Sequence, residues 1–470
     1  MTTTPLLDAL LDLLEGWRAV FPQKRTFARA MRLALAQVLA PGRRTISRII
    51  AACGLDQQDW TADYRVFSRS PWRQQRLFEA PIAAGLGYFA GRDHIAVAGD
   101  FTHLAKSGKK IPGVHCMRDP MSPPFHVNLI HGLRFIQYTL LLPLYGNSAD
   151  DEDAAAPPRS IPVCFNEVPV IAKPGKKATD EEKAAYKAKL RQRPANHLAL
   201  DALLCLRAQL DAAGASDKDV LSALDGGFCN KVFFGRKLDR IELVARARKD
   251  ARLCLAAEPG GRRFYAKETF TPESVRADEG RPWLTGRFFH GGAWRDMRYK
   301  EITGVFWSKG AGRRPLRLIV LASTPYRNSP NGKTNYRQPA YLLTTDLKRT
   351  VEAIIQCYLD RWQIEVNHRE EKSNFGVGDA QVRNPKSVPR QPAFVVAVYA
   401  MMLLAAQKAY GSGRVDAYVP LPKWRKGAKR PSCQDIVSEL RREMEANPAK
   451  LRDFATQIGV MAAAAFRAAA

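Results

Sequence analysis

The sequence predicts an α/β protein: a mixed sheet with helices on both faces, interrupted by a β-strand insertion and flanked by helical N- and C-terminal regions. Three observations predict it. Between His94 and Ala247 short apolar runs alternate with helical-period segments. From about Lys249 to Leu347 the chain becomes a series of strand-like runs between Gly, Pro and Asn turns. On either side of these stretches apolar residues recur at helical spacing.

Taken in order, residues 1–90 carry helices at Leu6–Val20 and Thr26–Leu39, then a break at Pro41-Gly42 and a short basic helix with Arg43, Arg44 and Arg48. Two readings stay open here: a DNA-binding helix-turn-helix-like unit, or an ordinary helical bundle with solvated arginines. His94–Asp100 reads as a strand ending in an acid. Phe125–Phe135 and Ile136–Tyr145 read as two adjacent antiparallel strands, with His126 and His131 structural, and Asn147–Pro158 as an acidic surface loop. Helices are expected over Lys173–Arg193 and His197–Ala213, a second strand ending in an acid over Asp219–Asp225, a helix to about Lys237, and a strand over Ile241–Ala247. Residues 91–250 form the first part of a core and 251–347 a β insertion, with strands near Arg298–Trp307, Leu316–Ala322 and Ala340–Thr345. Residues 348–410 form the second part of the core, with a buried helix at Ala393–Ala406, too short to span a bilayer. Residues 411–470 are a basic loop and a helical tail.

Composition narrows the function. The chain has 470 residues, 73 Lys plus Arg against 46 Asp plus Glu, a net charge of +27 and a hydrophobic content of 46%. That describes a folded protein with a broad electropositive footprint, whose usual partner is nucleic acid. No basic amphipathic anchor or lipidation motif supports a membrane partner. The eight cysteines are dispersed without a C-x-x-C pair, which excludes a disulfide scaffold or a thiolate zinc site. With acids inside the first apolar run, the N-terminus is not a signal peptide, so a cytoplasmic setting is expected. Gly332-Lys333-Thr334 resembles the end of a P-loop, but Arg327 stands where that motif needs glycine, so ATP binding is rejected.

The most informative segment runs from Tyr358 to Lys372. Tyr358, Arg361, Glu365 and Lys372 lie at offsets that a helix turning about 100° per residue places within one narrow stripe. An aromatic hydroxyl, two cations and a carboxylate on one face suit a metal ion and a phosphate backbone rather than an apolar core. Asp360, Glu370 and Glu371 fall off that stripe. Together with Asp100 and Asp225, Glu365 completes a set of three oxygen-donor acids that suits one or two Mg²⁺ ions and in-line phosphoryl displacement.

The spacing Y-x2-R-x3-E-x6-K resembles the signature of bacterial insertion-sequence DDE transposases, in the hairpin-forming subgroup with an RNase H-like catalytic core. The segment A-G-D-F-T-H-L-A-K-S-G-K-K-I-P-G-V, Ala98–Val114, is similar to that family's first-aspartate block, and L-D-G-G-F-C-N-K-V-F-F, Leu224–Phe234, to its second. Phe101 follows Asp100 where many relatives carry a second acid. The resemblance implies an RNase H-like fold. It also implies that Asp100, Asp225 and Glu365 are catalytic ligands of Mg²⁺ or Mn²⁺, two ions in number. Tyr358, Arg361 and Lys372 then contact backbone phosphates, and Trp362 stacks on a displaced base. Further DNA contacts are expected from Lys106, Lys109 and Lys110, from Arg246, Arg248 and Lys249, and from a tryptophan of the insertion, Trp307 or Trp294.

The implied function is cut-and-paste transposition: binding of terminal inverted repeats, strand cleavage, hairpin formation and transfer into target DNA. A homodimer is the expected partner state, with the tail from about Ile436 as its surface. Two rivals remain. One is a catalytically silent DNA-binding regulator. The other is a tyrosine recombinase using Tyr358, which needs no metal.

Overall fold

The computed structural model describes residues 4–447 except 120, 121, 124, 145–156, 172, 193, 261, 328, 330, 331 and 412–429. The acidic cluster Asp150–Asp153, the basic loop Lys423–Lys429 and the alanine-rich Met461–Ala470 lie outside the described residues.

The N-terminal region folds as helices α1 (Pro5–Glu15), α2 (Lys24–Leu39), α3 (Ile46–Ala52), α4 (Thr61–Ser68) and α5 (Glu79–Leu86). Pro5 at the first turn of α1 suits the position where its missing N–H costs nothing. Most of α2 is buried, as in a packed bundle. Arg44 fits neither reading, because it is buried rather than solvated or DNA-facing: its Nε donates to the Gln37 carbonyl (2.9 Å) and its backbone N–H to the Asp379 carboxylate (2.8 Å). Arg43, Ser47 and Arg48 remain exposed beside it.

The core follows with β1 (His94–Ala105), β2 (His115–Arg118), β3 (Leu129–Leu142), β4 (Arg159–Glu167), α6 (Asp180–Arg191), α7 (Pro194–Ala212), β5 (Asp219–Leu224), α8 (Lys231–Phe234) and β6 (Ile241–Arg246). After α9 (Pro272–Ala277) come β7 (Leu284–His290), β8 (Ala293–Phe306), β9 (Pro315–Leu321), the short β10 (Pro325–Arg327) and β11 (Thr334–Tyr336), and β12 (Ala340–Thr344). The chain closes with α10 (Val351–Asp360), α11 (Trp362–Ser373), α12 (Ser387–Tyr410) and α13 (Cys433–Ala446).

Among the described residues one ten-stranded sheet runs β2-β3-β1-β5-β6-β12-β9-β8-β7, with β4 also on β3. β1 pairs antiparallel with β3 and parallel with β5, and β5 pairs parallel with β6. This is the RNase H-like arrangement of a mixed sheet with helices packed on it. The strands of the 251–347 segment extend that same sheet, because β12 pairs with both β6 and β9.

Three expectations change. β1 does not end at Asp100 but continues to Ala105, since Thr102 and Leu104 keep burying alternate positions. The two strands expected over 125–145 are one strand, β3: no turn residue separates Phe135 from Ile136, and its second half is buried on both faces. β4 was not anticipated, because Pro162 interrupts its pattern; that proline sits at a register shift, where a missing N–H is tolerated.

α12 is longer than the apolar run predicts. Its 24 residues are long and apolar enough to cross a membrane, yet 83% of its most apolar stretch is buried inside the protein. It is the central core helix, packed by α1, α2, α5 and β4. The apolar face of α13 (Ile436, Val437, Leu440, Met444) is buried against α1, α2 and α12 of its own chain. That face, expected to join two copies, is therefore already occupied. Glu443 fixes the contact: its carboxylate accepts the Leu6 (3.1 Å) and Leu7 (2.7 Å) backbone N–H groups, free donors at the start of α1.

Candidate active site

The parallel ladder between β1 and β5 ends at the pair Gly99–Leu224. Asp100 and Asp225 are the next residues on the two strands, so the register sets two carboxylates side by side. Gly99 permits this closeness: a Cβ there would collide with the Tyr138 ring and the Leu224 side chain. Asp225 leaves β5 into a tight turn, with its carbonyl accepting the Phe228 N–H (3.0 Å). Asn230 steadies the turn by donating to the Gly227 carbonyl (2.9 Å) and capping α8 at Val232 (2.9 Å).

The third acid arrives on α11. The single helix expected from Tyr358 to Lys372 is two, α10 and α11, broken at Arg361. The stripe survives the break, because Arg361 keeps right-handed helical angles (φ −49°, ψ −31°) and its N–H still donates to the Cys357 carbonyl (3.2 Å). α10 packs on β5 and α11 on β1 and β4, which carries Glu365 to the aspartate edge.

Arg361 is the hub. Its Nη2 lies 3.3 Å from Glu365 Oε1, and its guanidinium sits 5.7 Å from the Tyr358 ring centre. Burial works against its charge, but Tyr358, Asp225, Asp100 and Glu365 together hold its pKa above the usual value. Its Nε and Nη1 are buried without a hydrogen-bond partner. Such donors each cost about 1–3 kcal/mol when left unpaired, which phosphate oxygens would recover.

The carboxylates feel one another. Burial pushes Asp100 up to about 7; Arg361 and the Phe101 N–H (2.7 Å) oppose this, and the charges of Asp225 and Glu365 add to it. Burial also raises Glu365, against Arg361 and with Asp225. Carboxylates that disfavour one another's charge mark a place where a cation is stabilised. Three hard oxygen donors fit Mg²⁺ or Mn²⁺. The cage is not preformed: among the described residues no three His, Cys, Asp or Glu side chains already make a metal-holding group, and Glu365 leans on Arg361.

The remaining expected residues divide. Trp362 is 56% exposed, and with Tyr358, Arg361 and Arg246 it lines a cavity of about 620 Å³. Lys372 is exposed at the end of α11; its crowded surroundings lower its pKa, and Glu371 and Asp100 support its charge. Lys109, Lys110 and Lys249 are exposed. Arg248 is exposed but paired with Asp250 (2.7 Å). Lys106, expected to contact DNA, is buried instead, and its ammonium donates to the carbonyls of Gly378 (2.7 Å) and Ala380 (2.8 Å). Trp307 packs edge-on against Phe234 in the core, and Trp294 against Phe289. Of the histidines, His131 bonds the Lys106 carbonyl (2.9 Å), and His126 lies in the exposed loop before β3.

One pair escaped the sequence. Gln137 is the β3 partner of Asp100, and its Nε2 donates to the buried Glu371 carboxyl (2.9 Å). That bond ties α11 to the sheet next to the first aspartate. The signal was a glutamine within the largely apolar, fully buried second half of the strand.

With this geometry in view, the comparison with protein families is decisive. Residues 18–284 match the family described as DDE superfamily endonuclease. The chain belongs to that family. The matched span contains Asp100 and Asp225 and stops before Glu365, so the third acid rests on the geometry above. No curated protein matches the chain. Membership makes this endonuclease a transposase-type nuclease with DNA as its substrate class, in a superfamily whose nucleases generally use divalent metal ions.

Proposed function

We propose that this endonuclease is a cut-and-paste transposase of the hairpin-forming subgroup, acting on the terminal inverted repeats of its own element. The observation that carries the reading is the largely buried Arg361, held among Asp100, Asp225 and Glu365 with two buried donors unpaired. That is an anion site and a cation site in contact, which is what a phosphodiester and its counter-metal require.

Asp100, Asp225 and Glu365 would hold Mg²⁺ or Mn²⁺, two ions in the full complex, once Glu365 rotates off Arg361. A bound ion supplies charge neutralisation and a stronger oxygen nucleophile at neutral pH. Arg361 and Lys372 grip the non-bridging oxygens of the scissile phosphate, while Tyr358 fixes the guanidinium from one side. A water attacks phosphorus and frees a 3′-hydroxyl. That hydroxyl attacks the opposite strand and closes a hairpin, a second water reopens it, and the same hydroxyl joins target DNA. Trp362, exposed beside the cavity, stacks a base displaced by the hairpin turn, which contributes about 1–3 kcal/mol. Pairing of two ends calls for a homodimer.

Incubation with a terminal-repeat duplex and Mg²⁺ tests the scheme. Hairpin-ended products are expected, and chelation with EDTA stops the reaction. Open breaks without a hairpin intermediate remove that step from the scheme, and cutting in EDTA with a covalent adduct at Tyr358 favours a tyrosine recombinase. The silent-regulator reading draws on the unformed cage; it gains if no duplex is cut under any metal.

A further inference from the structure

The cavity beside Arg361 does not end there. Arg246 and Gln338 in its wall also line a neighbouring cavity of about 450 Å³, bounded by Lys249, Arg276 and Tyr341. Arg276 and Ser323 lead from it into a third, of about 680 Å³, beside Trp283 and Arg298. The three depressions follow one another from the α10–α11 break, across the end of β6, to α9 and the outer strands of the insertion.

The walls are built rather than incidental. Glu273 holds Arg276 in a bidentate pair (Nη2 to Oε1 2.7 Å, Nε to Oε2 3.1 Å), and Arg276 and the Tyr341 hydroxyl together bring the Glu273 carboxyl down to about 2. Lys300 is buried, and its ammonium donates to the carbonyls of Val275 and Arg276 at the end of α9 (3.2 Å each) and of Asp278 just beyond it (2.6 Å). It also lies 4.7 Å from the centre of the Trp283 ring, with Arg298 at 5.6 Å. In the middle cavity Arg246, Lys249 and Arg276 face a single acid, Glu273, leaving an excess of positive charge.

We propose that this channel carries the phosphodiester backbone of the bound DNA as it continues past the point of cleavage, with Lys249, Arg276 and Arg298 as successive phosphate contacts. The proposal rests on the reading of the Tyr358–Lys372 face as the cleavage site. Continuity favours one DNA molecule: the channel shares two wall residues with the cavity beside Arg361, so a strand leaving that cavity meets Lys249 next. Chain dimensions agree, since three linked cavities exceed what a single small anion fills.

The test uses the full-length Lys249→Gln/Arg298→Gln protein, both changes at exposed positions. Binding to a long duplex is measured against salt concentration in EDTA. Losing two phosphate contacts should flatten the slope of log K against log salt by about 1.8. A duplex trimmed at the position where the wild-type protein cuts should show no change. An unchanged slope on the long duplex, an equal loss on the trimmed one, or a loss confined to capture of a second duplex by a preloaded complex would overturn the channel. Failure of the cleavage reading looks different: a wild-type protein that binds and shows the slope change but never cuts keeps the channel and loses the nuclease site.

Discussion

Replacing Glu371 with glutamine should change how stability depends on pH, and by an amount the structure sets. Glu371 is 1% exposed, and its carboxyl accepts a hydrogen bond from Gln137 Nε2 (2.9 Å). Burial drives its pKa up to about 8, against the Gln137 bond and the Lys372 charge, from an ordinary value of 4.5. The folded protein thus keeps a proton that the unfolded chain releases. Stability from this group is complete below about pH 4.5 and is lost as pH rises through about 8. At most about 5 kcal/mol of stability rides on that proton. Glutamine fills the same volume without a titrating proton. Urea unfolding of both proteins at intervals from pH 5 to pH 9 therefore reads the difference directly. The variant should gain on the wild type steadily with pH and be the more stable one at alkaline pH. A stability difference that stays constant across the range would refute the reasoning.

Lys106→Ala should cost about 2–4 kcal/mol, because two buried carbonyls lose their donor, yet leave the salt dependence of DNA binding untouched. Lys109→Ala/Lys110→Ala should do the reverse, reducing the salt slope by about 1.8 at unchanged stability. Glu443→Ala should lower stability by about 1–2 kcal/mol and speed hydrogen exchange at Leu6 and Leu7, whose N–H groups lose their cap; unaltered exchange there would show that the C-terminal helix does not clamp α1.

How much of this was legible in the sequence depends on the range of the interaction involved. The Tyr358–Lys372 stripe was legible because helical angle is a local property, and a one-residue break at Arg361 barely disturbs it. Asp225 was legible as a strand end followed by Gly226-Gly227. Asp100 reads in the sequence as a strand end, but it lies inside β1; what ends there is the β5 ladder beside it, which brings Asp225 alongside. Lys106 shows the limit. Its charge and its place among Lys109 and Lys110 suggest phosphate, but the carbonyls it satisfies lie more than 270 residues away, at Gly378 and Ala380. Arg44 is the same case, bonded to Asp379 across a comparable gap. The apolar face of α13 suggested a partner because an amphipathic helix does not say whose core it completes. Gln137 was missed because its strand was divided in two.

The account stands on Glu365 joining Asp100 and Asp225 in one cleavage centre. The most direct measurement is the single-turnover rate of Mg²⁺-dependent duplex cleavage by the wild type and by Glu365→Gln, with DNA affinity measured in parallel. Loss of one ligand removes several kcal/mol of charge stabilisation, so cleavage should fall by about three orders of magnitude with affinity within a few-fold. Cleavage by Glu365→Gln at the wild-type rate would contradict the assignment and leave α11 as a DNA-binding helix alone.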